Sequence, residues 1–220
     1  SSTLVPPHVA LLYPQYAYDY AYDTYEVTWM DPGADEVSEQ VVDVVLDLVD
    51  RYEIDGIHMD DYFYPYPGLN DFPDDATYAA YLADGGSLVL DDWRRDNVNR
   101  VIERLDMEIR ATEPWVRFGV APFGIYRPGI PEGIVGLDQY AEIYADPLLW
   151  IEQGWVDYLA PQLYWPTTQT QQAYGTLLDW WTSIAGDRYI ITGNALTSLG
   201  SSAAWDLDEI RDQVDLSRQY

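Results

Sequence analysis

Apolar positions along the chain alternate between helical spacing and short continuous runs, and that alternation predicts the elements. Val37, Val41, Val44, Val45 and Leu48 mark a helix over residues 35–52, with Asp35 and Glu36 in a first turn where the helix dipole favours negative charge. A strand is predicted at about 54–60, where Ile54, Ile57 and Met59 lead into Asp60 and Asp61. After a long loop rich in Pro, Gly and Asp, Val98, Ile102, Leu105 and Ile109 restore the helical period over 91–112. The pattern then gives a strand at 116–122, a short helix at 146–153, a strand at 156–163, a helix at 170–185, a strand at 188–193 and a closing helix at 205–218.

Strands that are apolar throughout and alternate with helices point to an α/β fold with a parallel sheet, either a barrel or a doubly wound sheet. No Gly-rich phosphate loop follows any strand, which removes the usual nucleotide-binding form of the doubly wound fold and leaves no cofactor implied. Each predicted strand also ends in polar or aromatic groups: Asp60-Asp61-Tyr62, Pro122-Phe123-Gly124, Gln162-Leu163-Tyr164-Trp165 and Gly193-Asn194. Functional groups collected at the C-terminal ends of successive strands mark the active face of a TIM-type (β/α)8 barrel.

Composition narrows the chemistry. With 220 residues and 48% hydrophobic content, the whole chain, 1–220, reads as a single domain. There is no cysteine, and His8 and His58 are the only histidines, so neither a thiolate site nor a multi-histidine metal centre is expected. The net charge of -27 arises from 38 acidic residues against 11 basic ones, all of them arginine. Such a surface repels nucleic acid and anionic membranes, and no run of about 18 apolar residues is present to span a bilayer. The lysine-free composition reflects habitat rather than mechanism. The Ser1-Ser2-Thr3 start reads as that of a processed product or of a piece of a longer polypeptide.

The candidate chemistry lies in Asp55-Gly-Ile-His-Met-Asp60-Asp61-Tyr-Phe-Tyr-Pro-Tyr-Pro67, a strand end carrying two carboxylates followed by aromatic rings. Carboxyl groups beside ring surfaces are what carbohydrate cleavage uses, and Asp60 and Asp61 are the only carboxylates at the four predicted strand ends. Adjacent strand residues point to opposite faces, so Asp61 pinning the following loop while Asp60 alone faces the cleft is the competing reading. His58 shares the face of Asp60; it either contacts substrate and tunes Asp60 or is a buried structural histidine. Tyr62, Tyr64 and Phe123 are candidate sugar contacts, with packing of the loop onto the rim as the alternative. Gln162 and Tyr164 suit hydrogen bonds to sugar hydroxyls or an acetamido group, and Trp165 suits ring stacking or packing. Arg127 and Asn194 complete the set, competing with ion pairing and turn formation respectively, while Arg94 and Arg95 are expected to pair with carboxylates. A third carboxylate or histidine at a strand end is absent, which argues against metal-dependent phosphoester chemistry.

The runs DGIHMDDYFYPYP, WRRDNVN, FGVAPFGIYRPG, GLDQYAEIYADPLLWIEQGWVDYLAPQLYWP and ITGNALTSLGSS, from about Trp29 to the C-terminus, resemble the glycosyl-hydrolase-like family ten. The resemblance implies a TIM-barrel glycoside hydrolase acting on bacterial cell-wall or related N-acetylated polysaccharide, in a protein that is exported or lipid-anchored, hence extracellular or periplasmic. It also implies a partial barrel, because about three strand-helix units normally precede this region and a last strand follows it. Adjacent acidic residues ending the fourth strand are similar to those of barrel hexosaminidases, where the substrate's own acetamido oxygen attacks; Asp60 and Asp61 would then orient that group and serve as acid and base. The alternatives are Asp60 as the nucleophile, as in alpha-amylase-like barrels, with an acid from elsewhere, and a glycan-binding module without catalysis.

Overall fold

The structure, a computed structural model, describes residues 8–200 and 205–220, so Ser201 and Ser202 at the end of the last quoted run lie outside it. In chain order the elements are α1 (Val9–Leu12), β1 (Ala17–Ala21), β2 (Glu26–Met30), α2 (Asp35–Arg51), β3 (Gly56–Met59), α3 (Asp75–Ala83), α4 (Leu90–Thr112), β4 (Arg117–Val120), α5 (Gln139–Glu142), α6 (Pro147–Gln153), β5 (Tyr158–Leu159), α7 (Tyr174–Ile184), β6 (Tyr189–Ile190) and α8 (Leu207–Ser217). Contacts group them into two compact units.

The first unit comprises the residues up to Ile54, Tyr62–Val116 and Ala141–Ala145. Its frame is the pair α2 and α4. Val37, Val42, Val45 and Val49 form the buried stripe of α2, and Trp93, Val98, Ile102, Leu105 and Ile109 that of α4. Arg104 clamps the two helices from outside, its guanidinium donating to both oxygens of Glu39 at 2.6 and 3.0 Å. Four elements here were not predicted, α1, β1, β2 and α3. β1 and β2 pair as an antiparallel hairpin with Tyr20 opposite Val27, and α3 lies inside the stretch expected to be a loop. None of the α3 residues is buried, so no apolar stripe marks it in the sequence.

The second unit holds Asp55–Asp61, Arg117–Tyr140 and the residues from Asp146 onward. Its four strands are parallel and lie in sequential order β3-β4-β5-β6, with Gly56 opposite Arg117 and Tyr158 opposite both Gly119 and Tyr189. The fold is α/β with helices between successive parallel strands in the chain, the pattern of part of a barrel; among the described residues the sheet is open, with β3 and β6 at its edges. Phe118, Val120 and Leu159 are buried, as the interior strands of such a sheet require. The regular part of β5 is shorter than the predicted 156–163 because Pro161 has no N–H to donate. Pairing resumes beyond it at single bridges from Gln162 to Phe123 and to Gly193.

Candidate active site at the end of the edge strand

β3 ends at Met59, and the next residue, Asp60, is exposed. Alternation sends Asp61 the other way, and it is 1% exposed. Asp60 is fixed by two donors on one oxygen: Oδ1 accepts from the Asp61 backbone N–H at 2.9 Å and from Gln162 Nε2 at 2.8 Å. Any proton on this carboxyl group therefore has to sit on Oδ2, and Oδ2 is the atom the site offers. Gln162 is itself held, because the same Nε2 also donates to the Ala121 carbonyl at 2.9 Å and the residue is 9% exposed. The strand-end glutamine thus orients the strand-end aspartate.

One side-chain repeat earlier, His58 Nδ1 and the Tyr158 hydroxyl share a hydrogen bond of 2.9 Å, with the rings stacked at 5.8 Å and 11°. The residue between them on β4 is Gly119, where a Cβ would fall inside the Tyr158 ring. A glycine in a strand interior marks close approach, and here it makes room for tyrosine to reach histidine. Burial raises the Tyr158 pKa, and the Asp157 carboxylate adds to the effect, so the hydroxyl keeps its proton.

The other strand ends separate by role. Phe123 and Trp165 meet edge-on at 5.7 Å, and Tyr164 beside them is 49% exposed. Arg127 donates to Asp138 at 3.0 Å and lies over the Tyr140 ring at 4.9 Å, so its charge is already partnered. Asn194 donates to the Tyr174 hydroxyl at 3.0 Å and to Gln213 at 2.6 Å and accepts from Thr192 at 3.2 Å, which places it in a polar network beside α8. That network continues through Gln213 to Glu209, which holds Thr167 by its backbone N–H at 2.7 Å and its hydroxyl at 3.0 Å. Tyr62 and Tyr64 belong to the first unit. Tyr62 is 63% exposed and edge-on to Trp29 and Tyr66, whereas Tyr64 is fully buried, its hydroxyl accepting from Asn97 at 3.1 Å.

A model of the family described as Glycosyl hydrolase-like 10 matches residues 2–208. The chain belongs to that family. It is 39% identical over 199 residues to Glycosyl hydrolase YngK of Bacillus subtilis (strain 168), a match that covers 86% of this chain and 39% of that protein. Glycosyl hydrolase DigH of Escherichia coli (strain K12) is 37% identical over 203 residues, covering 86% of this chain and 46% of that protein, and DigH of Shigella flexneri gives the same values. The chain spans less than half the length of each of these relatives. Among the described residues, no helix of this family member is long and apolar enough to cross a membrane.

Two site features were absent from the sequence reading of this glycosyl-hydrolase-like chain. Tyr158 as the partner of His58 had a signal in Gly119, the one glycine inside a predicted strand whose neighbour is a large ring. The bond from Gln162 to Asp60 joins residues 102 apart and had none.

Proposed function

We propose that this chain carries part of the catalytic face of a glycoside hydrolase acting on N-acetylated polysaccharide of the bacterial cell-wall type, with Asp60 as the carboxyl group that meets the sugar. The observation that carries this reading is the pairing of an exposed Asp60 with two donors on Oδ1, which leaves a single oriented oxygen at a strand end. Family membership supports the reaction class, and the names of YngK and DigH point the same way. Acidic polymers and nucleic acid are poor ligands for a chain of charge -27, whereas a neutral acetylated sugar is not repelled. The same reading puts the protein in the extracellular or periplasmic space, where such glycans lie.

Of the two aspartates, Asp60 carries the carboxyl group that does the chemistry, and Asp61 contributes its backbone N–H. Asp61 supplies a backbone N–H to Asp60 and is itself 1% exposed, so it meets no sugar in this arrangement. Asp60 Oδ2 then either attacks the anomeric carbon or orients the acetamido group for attack, and the second carboxyl group comes from outside the four strand ends.

The experiment uses the whole protein. Asp60→Asn is expected to lower kcat on denuded, N-acetylated glycan strands by roughly 10²- to 10⁴-fold. Asp60→Gly with added azide separates the two roles: a glycosyl azide product identifies a nucleophile, and its absence with activity lost identifies an orienting group. Wild-type turnover by Asp60→Asn sinks the proposal, and glycan binding by the wild type without any cleavage replaces it with the binding-module reading.

A further inference from the structure

Within the first unit, the residues between β3 and α4 fold over a cavity of about 500 Å³ whose lining residues include Tyr20, Tyr64, Phe72, Arg94 and Tyr144. That size lies within the range of small-ligand sites and exceeds what a single ion fills. The wall is built, not left over. Arg94 forks onto both oxygens of Asp74 at 2.7 and 2.5 Å, and also donates to the Phe72 carbonyl at 3.1 Å and to the Tyr144 hydroxyl at 2.8 Å. Gly68 closes the loop onto Tyr20, its N–H donating to the tyrosine hydroxyl at 2.8 Å, and a Cβ at that position would strike the ring.

A separate observation marks the same wall. Tyr144 has φ 58°, the left-handed region that a bulky residue rarely adopts. Its ring is held there by the bond from Arg94, by the Arg94 guanidinium 5.1 Å over its face and by an edge contact with Tyr64 at 5.1 Å. A backbone angle of this kind persists only where the surroundings over-determine it.

The rim determines the ligand class. Asn70, Asp71 and Glu142 line the cavity from exposed positions and supply an amide and two carboxylates. Arg94, the cation in the wall, is already neutralised by Asp74, so an anion finds no free counter-charge. Hydrogen-bonding groups at exposed positions over a lining rich in tyrosine suit an uncharged polyhydroxyl ring, whose hydroxyls donate to carboxylates and accept from an amide. We infer that this hollow is a saccharide-binding site of its own, built from residues other than those around Asp60 and holding a neutral sugar unit. The choice of acetylated glycan as ligand rests on the reading given under Proposed function; the geometry of the hollow does not.

Calorimetric titration of the whole protein with tetra-N-acetylchitotetraose tests this, using the exposed double variant Asp71→Ala/Glu142→Ala, whose thermal midpoint is measured alongside to confirm folding. The double variant is expected to raise Kd at least tenfold, and Asp60→Asn to leave that binding step in place. Equal binding by the double variant and the wild type overturns the proposal. So does tighter binding of the fully de-N-acetylated, cationic tetramer through the same two carboxylates, which makes the hollow a cation site. Loss of binding in the double variant together with full turnover by Asp60→Asn keeps the saccharide site and discards the catalytic assignment.

Discussion

Replacing Arg94 with methionine removes the positive half of a buried ion pair and leaves the negative half where water cannot reach it. The side chains of Arg94 and Asp74 are 8% and 1% exposed, and the guanidinium makes two bonds to the carboxylate, one to the Phe72 carbonyl and one to the Tyr144 hydroxyl. Burial alone disfavours the guanidinium charge, but the Asp74 carboxylate more than offsets it and holds the pKa above the ordinary arginine range. Breaking such a pair on one side costs about 3–5 kcal/mol, because the stranded carboxylate loses hydration and partner together. For a chain of this length that corresponds to a fall in Tm of roughly 6–20 °C. Urea denaturation followed by circular dichroism measures the loss directly. Arg94→Met/Asp74→Leu, which removes both charges, should recover most of the loss. A single-variant deficit below about 1 kcal/mol, the range of exposed pairs, refutes the argument that this pair is buried and indispensable.

Two further outcomes follow from other residues. Gln162→Met keeps the volume but removes the Nε2 donor from Asp60; since a hydrogen bond to a charged group contributes about 1.5–3 kcal/mol, kcat should fall roughly tenfold to a hundredfold with KM nearly unchanged. A raised KM at constant kcat would instead mean that Gln162 binds the sugar itself. Asp31 is fully buried, and its pKa is raised by that burial against the opposing bonds from Thr77 and Gly33. For a carboxyl group with a raised folded pKa, the contribution to stability is full below the unfolded value and is lost as pH rises through the folded one. Wild type should therefore lose stability relative to Asp31→Asn as pH rises above the ordinary aspartate value of about 3.9 in urea midpoints, and parallel curves would contradict the assignment.

The long helices were legible because a stripe such as Val98, Ile102, Leu105 and Ile109 has to face a core, and the parallel strands because Ile57 or Phe118 and Val120 have to be buried. α3 was not, because Ala76, Ala79 and Ala80 remain exposed and no face of it carries a core. β1 and β2 went unread although Tyr18 and Tyr20, and Val27 and Trp29, do alternate: Tyr20 is their one buried residue, and Tyr18 and Tyr20 settle against the Phe72 ring rather than into an aliphatic core. At the site, alternation along β3 offered an exposed Asp60 and a buried Asp61 only as the competing reading, the two carboxyl groups having been expected to act together. The partnerships were not readable, since Arg127 with Asp138, Asn194 with Gln213 and Gln162 with Asp60 are choices among several polar residues that only the folded chain brings within reach.

The bonds from His58 to Tyr158 and from Asp60 to Gln162 both pass over β4 to residues that begin and follow β5. They act as two teeth of one key. A parallel edge strand can slide along its single neighbour while keeping an equivalent ladder of backbone bonds, and only side chains oppose it. Sliding β3 by one residue would turn Ile57 and Met59 outward in place of His58 and Asp60. Sliding it by two would set His58 against Gln162 and Gly56 against Tyr158 in one direction, or Asp60 against Tyr158 with Gln162 losing its carboxylate in the other, so the two teeth would never engage together. The axial position of the Asp60 carboxyl group is therefore set to within a single residue step by groups two strands away, and a change at Tyr158 or Gly119 should be felt at Asp60 without altering any residue that touches it.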